Sequence, residues 1–130
     1  MLVDTNVLSE LMRPAPQARV TAWAKRQEGF SLSVVSLEEI LFGLSLKPNA
    51  RVEQWFASFV ADHCEVLKVT ERIARRCALL RASHRAKGRQ RTQADMLIAA
   101  TAAEHALPLA TRNVRDFDGC GISVVNPFRS

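Results

Sequence analysis

The chain has 130 residues, 48% of them apolar and 24% charged, the proportions of a globular domain long enough to enclose its own core. No run approaches the roughly 20 apolar residues that a membrane helix requires, which excludes a span of that kind. Lys and Arg number 18 against 13 Asp and Glu, and the net charge of +5 favours polyanionic partners such as nucleic acid without singling one out.

The opening residues lack a basic segment, an apolar core and a small-residue cleavage site, so secretion is not expected. Cys64, Cys77 and Cys120 are scattered, odd in number and without C-x-x-C spacing. They argue against a disulfide framework or a thiolate zinc site, fit a reducing cytoplasm, and read as small buried hydrophobes.

In chain order, Met1 to Asp4 predicts a first strand, followed by a short helix from about Asn6 that "RPAP" must stop. Val20, Trp23 and Ala24 mark the inner face of a second helix. "FSLSVVS" (Phe30 to Ser36) is rich in β-branched and aromatic residues and predicts the next strand, with Ser36 opening the helix "SLEEILFGLSL". A further helix is expected from about Asn49 to Asp62, its stripe of Val52, Trp55, Phe56, Phe59 and Val60 facing the core. "EVLKV" (Glu65 to Val69) predicts a third strand. Thr70 caps a helix that turns Ile73, Cys77 and Leu80 inward and ends near Gly88. "TQADMLIAATAAEHA" is an Ala-rich helix suited to close packing against a sheet, and "LPLAT" and "ISVVN" supply two short last strands.

Strands alternating with helices predict an α/β domain with a mainly parallel sheet, in which ligands sit outside the carboxyl ends of the strands. Asp4 ends the first strand, Glu39 follows the second, Asp95 lies in the first turn of the Ala-rich helix, and Asp116 follows the fourth strand. Each admits a local role: Ser36 and Glu39 match the S-x-x-E capping box, Asp95 favours the helix dipole, and Asp116 suits a turn. Asp4 resists such a reading, because a carboxylate at a covered strand end is poorly hydrated. Carboxylates forced together repel unless a cation compensates, and oxygen donors without His or Cys select Mg²⁺ or Mn²⁺. Such an ion binds phosphate oxygens and activates water, while Lys and Arg further out hold a nucleic-acid backbone. Together these features point to a nuclease.

"LVDTNVLSE", "VVSLEEILFG", "ADMLIAATA" and "LATRNVRDF", in that order and spacing, resemble the motifs of PIN-domain ribonucleases, above all the VapC-type toxins of the FitB-like branch. The resemblance spans nearly the whole chain and implies a single PIN domain over residues 1–130, a three-layer α/β/α sandwich around about five strands. It implies a metal-dependent endoribonuclease that is the toxin of a toxin–antitoxin pair. Such toxins are usually dimeric and are inhibited by a small DNA-binding antitoxin. The acidic quartet then falls on Asp4, Glu39, Asp95 and Asp116, holding Mg²⁺ or Mn²⁺, with Asn6, Thr111 and Asn113 as supporting polar positions.

"HRAKGRQR" places Arg85, Lys87, Arg89 and Arg91 just before the Asp95 helix, and Arg112 and Arg115 flank the last motif. These are candidates for guiding RNA or meeting an antitoxin; for the first group a solvated helix end is the equal alternative. His63, His84 and His105 lie away from the motifs and read as surface or packing residues. Two rival functions are a phosphoryl-accepting receiver module and a catalytically silent RNA- or antitoxin-binding module. Asp4 is followed by Thr5 and Asn6 instead of a second acid, which disfavours the receiver; retention of all four acids disfavours the silent module.

Overall fold

Five strands hydrogen-bond into one sheet in the computed structural model, which describes residues 1–129. They are β1 (Leu2–Val3), β2 (Phe30–Ser33), β3 (Cys64–Leu67), β4 (Leu109–Ala110) and β5 (Val124–Val125), in the spatial order β3-β2-β1-β4-β5. Every neighbouring pair is parallel, with Leu2 opposite both Ser31 and Leu109, and Val3 opposite Ala110.

Six helices cover the sheet: α1 (Thr5–Leu11), α2 (Ala18–Lys25), α3 (Val34–Leu46), α4 (Ala50–His63), α5 (Glu71–Ala86) and α6 (Gln93–Glu104). A 3-10 turn, Val114–Phe117, follows β4. Because side chains alternate along a strand, Leu2 and Leu109 enter one apolar cluster while Val3 and Ala110 enter another. The first cluster joins α5 and α6 through Ile73, Cys77, Met96 and Ile98; the second joins α1, α2, α3 and α4 through Val7, Leu8, Trp23, Ile40 and Phe56. Both faces of the sheet are covered at its centre, where β1 and β4 are wholly apolar and buried, while the edge strands β3 and β5 keep Glu65, Val66 and Val125 exposed. The expected three-layer sandwich is the observed fold.

The strand order places the site. From β1 the chain steps outward to β2 and β3, then returns through α5 and α6 to β4 on the opposite side of β1. The direction of winding reverses between β1 and β4, and a crevice opens outside the carboxyl ends of these two strands. Asp4 follows β1 directly, and Thr111 follows β4 directly.

Every strand is shorter than the sequence reading has it, and the boundaries of β2 and β3 differ most. The second strand stops at Ser33, where its last pairing is with Leu67, and Val34 and Val35 turn into α3 despite their β-branched side chains. Ser33 is the cap, its Oγ accepting from the Val35 N–H at 3.1 Å; Ser36 lies inside the helix, buried and without a protein hydrogen-bond partner for Oγ among the described residues. The Ser36–Glu39 capping box is thus not formed, and Glu39 sits a turn further along α3. The third strand begins at Cys64, straight out of α4, and ends at Leu67 because β2 offers no further residues to pair with. Trp55 is 37% exposed and stacks on Phe59 with ring centroids 4.9 Å apart; of the α4 stripe Phe56 is the member fully in the core.

Candidate active site

Asp4 answers two demands at once. Its Oδ1 accepts from the Thr5 N–H at 2.8 Å, capping α1, while Oδ2 accepts from Thr111 Oγ1 at 2.7 Å and from Asn6 Nδ2 at 3.2 Å. The Thr111 bond ties the end of β4 to the end of β1 across the crevice. Thr111 Oγ1 in turn accepts from the Asn113 N–H at 3.1 Å, and Asn6 Oδ1 accepts from the Arg112 N–H at 3.0 Å. The polar positions Asn6 and Thr111 thus engage Asp4 directly, and Asn113 joins through its backbone. Asp4 is 5% exposed, and burial pushes its carboxyl above the ordinary value, more than these donors pull it down.

Glu39 reaches the same region from α3. Its Oε1 accepts from Thr5 Oγ1 at 2.7 Å, so the residue that follows Asp4 in the chain also anchors the second acid. Asp95 arrives from α6, whose N-terminus Thr92 fixes by accepting from the Asp95 N–H at 3.1 Å. Burial, then the neighbouring charges of Asp4, Asp116 and Glu39, push the Asp95 carboxyl up to about 6. Asp4, Glu39 and Asp95 line one cleft of about 600 Å³ at the switch point.

Asp116 stands apart. It is exposed on the 3-10 turn and does not line the cleft, although its charge is felt at Asp95. Among the described residues no three acidic, histidine or cysteine side chains come close enough to enclose an ion unaided. Of the four acids expected to gather at one end of the sheet, three therefore stand on the walls of one cleft and Asp116 lies beside it. The donor set still fits a hard divalent ion. It is all oxygen, it carries mutual repulsion that a cation relieves, and Mg²⁺ keeps several of its waters where the protein offers few ligands.

The basic residues divide. Arg85, Arg89 and Arg91 line a second cleft of about 790 Å³ with Arg81 and Thr92, while Lys87 caps the end of α5. Arg91 has a structural engagement that its sequence context hid: its guanidinium donates to the carbonyls of Arg115 at 2.7 Å and Asp118 at 3.2 Å, strapping down the turn that carries Asp116. Arg112 lines the acidic cleft with its guanidinium over the Phe128 ring, 4.7 Å from the centroid. Arg115 is exposed on the turn. His84 is a packing residue, 2% exposed against Cys120.

Ser9, Glu10 and Arg13 also line the acidic cleft and went unassigned in the sequence. Their signal was present: counted from Asn6 they fall three, four and seven positions on, so Ser9 and Glu10 share the Asn6 face of α1 and Arg13 continues that line just past its end.

The raised Asp95 carboxyl has a measurable consequence. A group that binds its proton more tightly when folded favours the native state at low pH, and that contribution is lost as pH rises from the ordinary 3.8 through about 6. In EDTA, the melting temperature of the wild type relative to Asp95→Asn is expected to fall over that interval. Mn²⁺ added above pH 6 is expected to restore it. A pH-independent difference between the two proteins removes the electrostatic account of Asp95.

The chain belongs to the PIN-domain family, whose model matches residues 1–119. It is 34% identical to Toxin FitB of Neisseria gonorrhoeae (strain ATCC 700825 / FA 1090), covering 98% of each chain. It is 32% identical to the VapC ribonuclease Y4jK of Sinorhizobium fredii (strain NBRC 101917 / NGR234), covering 98% of this chain and 97% of that one. The crystal structure of FitAcB from Neisseria gonorrhoeae superposes on it with a TM-score of 0.85 at 31% identity, over 99% of both chains.

Proposed function

We propose that this chain is a divalent-metal-dependent endoribonuclease, the toxin of a toxin–antitoxin pair, working in the cytoplasm as a single domain over residues 1–130. The observation that carries the reading is the meeting of Asp4, Glu39 and Asp95, from three separate elements, in one cleft at the reversal point of a parallel sheet. The similarity to a toxin and to a named ribonuclease supports the reaction class.

Asp4, Glu39 and Asp95 are the residues to hold Mg²⁺ or Mn²⁺, with Asp116 assisting from the adjacent turn. Such an ion, when bound, neutralises phosphate oxygens and supplies a water of lowered pKa for in-line attack on the phosphodiester. The protein's own part is orientation and charge. Thr111 and Asn6 hold Oδ2 of Asp4 while the Thr5 N–H holds Oδ1, the Thr5 hydroxyl fixes Glu39, and the Thr92 cap holds the turn bearing Asp95. Desolvated acids retain protons more strongly than exposed ones and a metal must displace them, so Mn²⁺ binding is expected to tighten as pH rises toward 6, where Asp95 of the metal-free protein ionises. Arg85, Lys87, Arg89, Arg112 and Arg115 serve the flanking RNA backbone or the acidic segment of an antitoxin. Arg91 serves chiefly to position the Asp116 turn. A homodimer, silenced by a small DNA-binding antitoxin, completes the reading.

Purified protein incubated with RNA is expected to cleave it in Mg²⁺ or Mn²⁺ and to stop in EDTA. Cleavage that continues undiminished in EDTA excludes the metal-dependent mechanism. RNA binding without cleavage under any of the three conditions favours a silent module instead.

A further inference from the structure

Glu10 is a carboxylate with 4% of its surface exposed, close to the chemistry, and nothing in the metal reading uses it. A buried carboxylate is costly unless its oxygens are satisfied, and both of these are. Oε1 accepts from Arg13 Nη1 at 3.3 Å, and Oε2 accepts from the Gln17 N–H at 2.9 Å. Oxygens already engaged by a guanidinium and a backbone amide are poor ligands for a further cation, so Glu10 is not a fifth metal acid.

What Glu10 holds is Arg13. That side chain is 64% exposed, and the single Glu10 contact leaves most of its five N–H donors free. Its backbone is fixed too: the Arg13 N–H donates to the Glu10 carbonyl at 3.1 Å, and Pro14 and Pro16 restrict the chain that follows. A pre-oriented guanidinium loses less freedom on binding than a free one. The setting gives that cation a purpose. Asp4, Glu39 and Asp95 make the cleft hostile to a polyanion, and the guanidiniums lining it are Arg13, at the end of α1, and Arg112, after β4.

We propose that Arg13 binds a phosphate of single-stranded RNA at the mouth of the acidic cleft, and that Glu10 is the positioning residue that holds it there. The inference rests on the ribonuclease reading for its ligand, and its test is arranged to stand apart from cleavage. A fluorescently labelled single-stranded RNA oligonucleotide is titrated with protein in EDTA at several salt concentrations. One lost phosphate contact lowers the slope of log affinity against log salt by about 0.7 on a single strand. Arg13→Ala leaves Glu10 Oε1 without its partner, so its melting temperature is expected to fall by a few degrees while the protein stays folded at the assay temperature, where it shows that loss of slope; Arg13→Lys is expected to keep the wild-type slope.

In Mn²⁺, Arg13→Ala is expected to raise KM about ten-fold with kcat within about two-fold, the pattern of a contact made equally in the ground and transition states. Glu10→Gln keeps an acceptor for the Gln17 N–H but loses the charge that orients Arg13, and is expected to raise KM about three-fold. Should Glu10→Gln fail to fold, the exposed Arg13 variants still decide the matter. An Arg13→Ala protein with the wild-type salt slope overturns the proposal even where the wild type cleaves RNA normally. Absence of cleavage by the wild type, with the Arg13-dependent slope intact, overturns the nuclease reading and leaves the phosphate contact standing.

Discussion

Asp4→Asn is expected to cut metal-dependent RNA cleavage by about a hundred- to a thousand-fold, the scale on which one electrostatic partner of a transition state acts. The fold should survive. An asparagine oxygen still accepts from the Thr5 N–H, so the cap on α1 remains. Its amide nitrogen then faces Asn6 Nδ2, which now donates to Asp4 at 3.2 Å, and the Thr111 hydroxyl, whose oxygen already accepts from Asn6 Nδ2 at 3.3 Å and the Asn113 N–H at 3.1 Å. The Asn6 amide cannot flip freely, because its oxygen accepts from the Arg112 N–H. One poorly satisfied donor costs about 1–3 kcal/mol, against which stands relief from holding a desolvated charge. The melting temperature is therefore expected to move by no more than about 5 °C, with a cooperative transition in circular dichroism. Full activity in the folded variant contradicts a role for Asp4 in the chemistry. Loss of activity through unfolding places Asp4 among structural residues alone.

Phe117→Ala is expected to give the largest loss of stability among the substitutions considered. Phe117 is 2% exposed and anchors the 3-10 turn in the cluster that also contains Met96, Ala99 and Cys120. Truncating a buried phenylalanine costs about 3–5 kcal/mol, a large share of the stability of a domain this size. The melting temperature should fall by about 10 °C or more. Because Asp116 immediately precedes Phe117, the same change frees the turn that carries the fourth acid. Cleavage by the surviving folded fraction, measured well below the transition, is expected to drop as well. A melting temperature within about 3 °C of the wild type contradicts the claim that this side chain pins the turn to the core.

Much of this was legible in the chain itself. The alternation of short apolar runs with amphipathic ones gave the layered α/β architecture, because strands at the centre of a sheet covered on both faces, as β1 and β4 are, must be apolar. Asp4 was conspicuous for the same reason: a charge at the end of a buried strand has few structural excuses. Other features were hidden by competing local signals. Val34 and Val35 carry strand preference, yet Ser33 caps a helix there, because pairing with β3 ends at Leu67 and the chain must leave the sheet. Ser36 and Glu39 imitate a capping box that tertiary structure places inside the helix. Glu10 and Arg13 carried no assignment before the proline-rich stop; the burial of Glu10 depends on the Gln17 N–H, which a helix-by-helix reading leaves out of reach, and on Arg13 itself. Arg91 looked like one of a basic run, and only the fold brings it to the carbonyls of Arg115 and Asp118.

The most direct measurement is anomalous diffraction from crystals of the protein soaked in Mn²⁺ above pH 6, where Asp95 is ionised. The expected result is a manganese peak in the cleft coordinated by carboxylate oxygens of Asp4, Glu39 and Asp95, and lost in Asp4→Asn crystals treated alike. An empty cleft in a well-soaked crystal, or manganese bound only at acids elsewhere on the surface, contradicts the account.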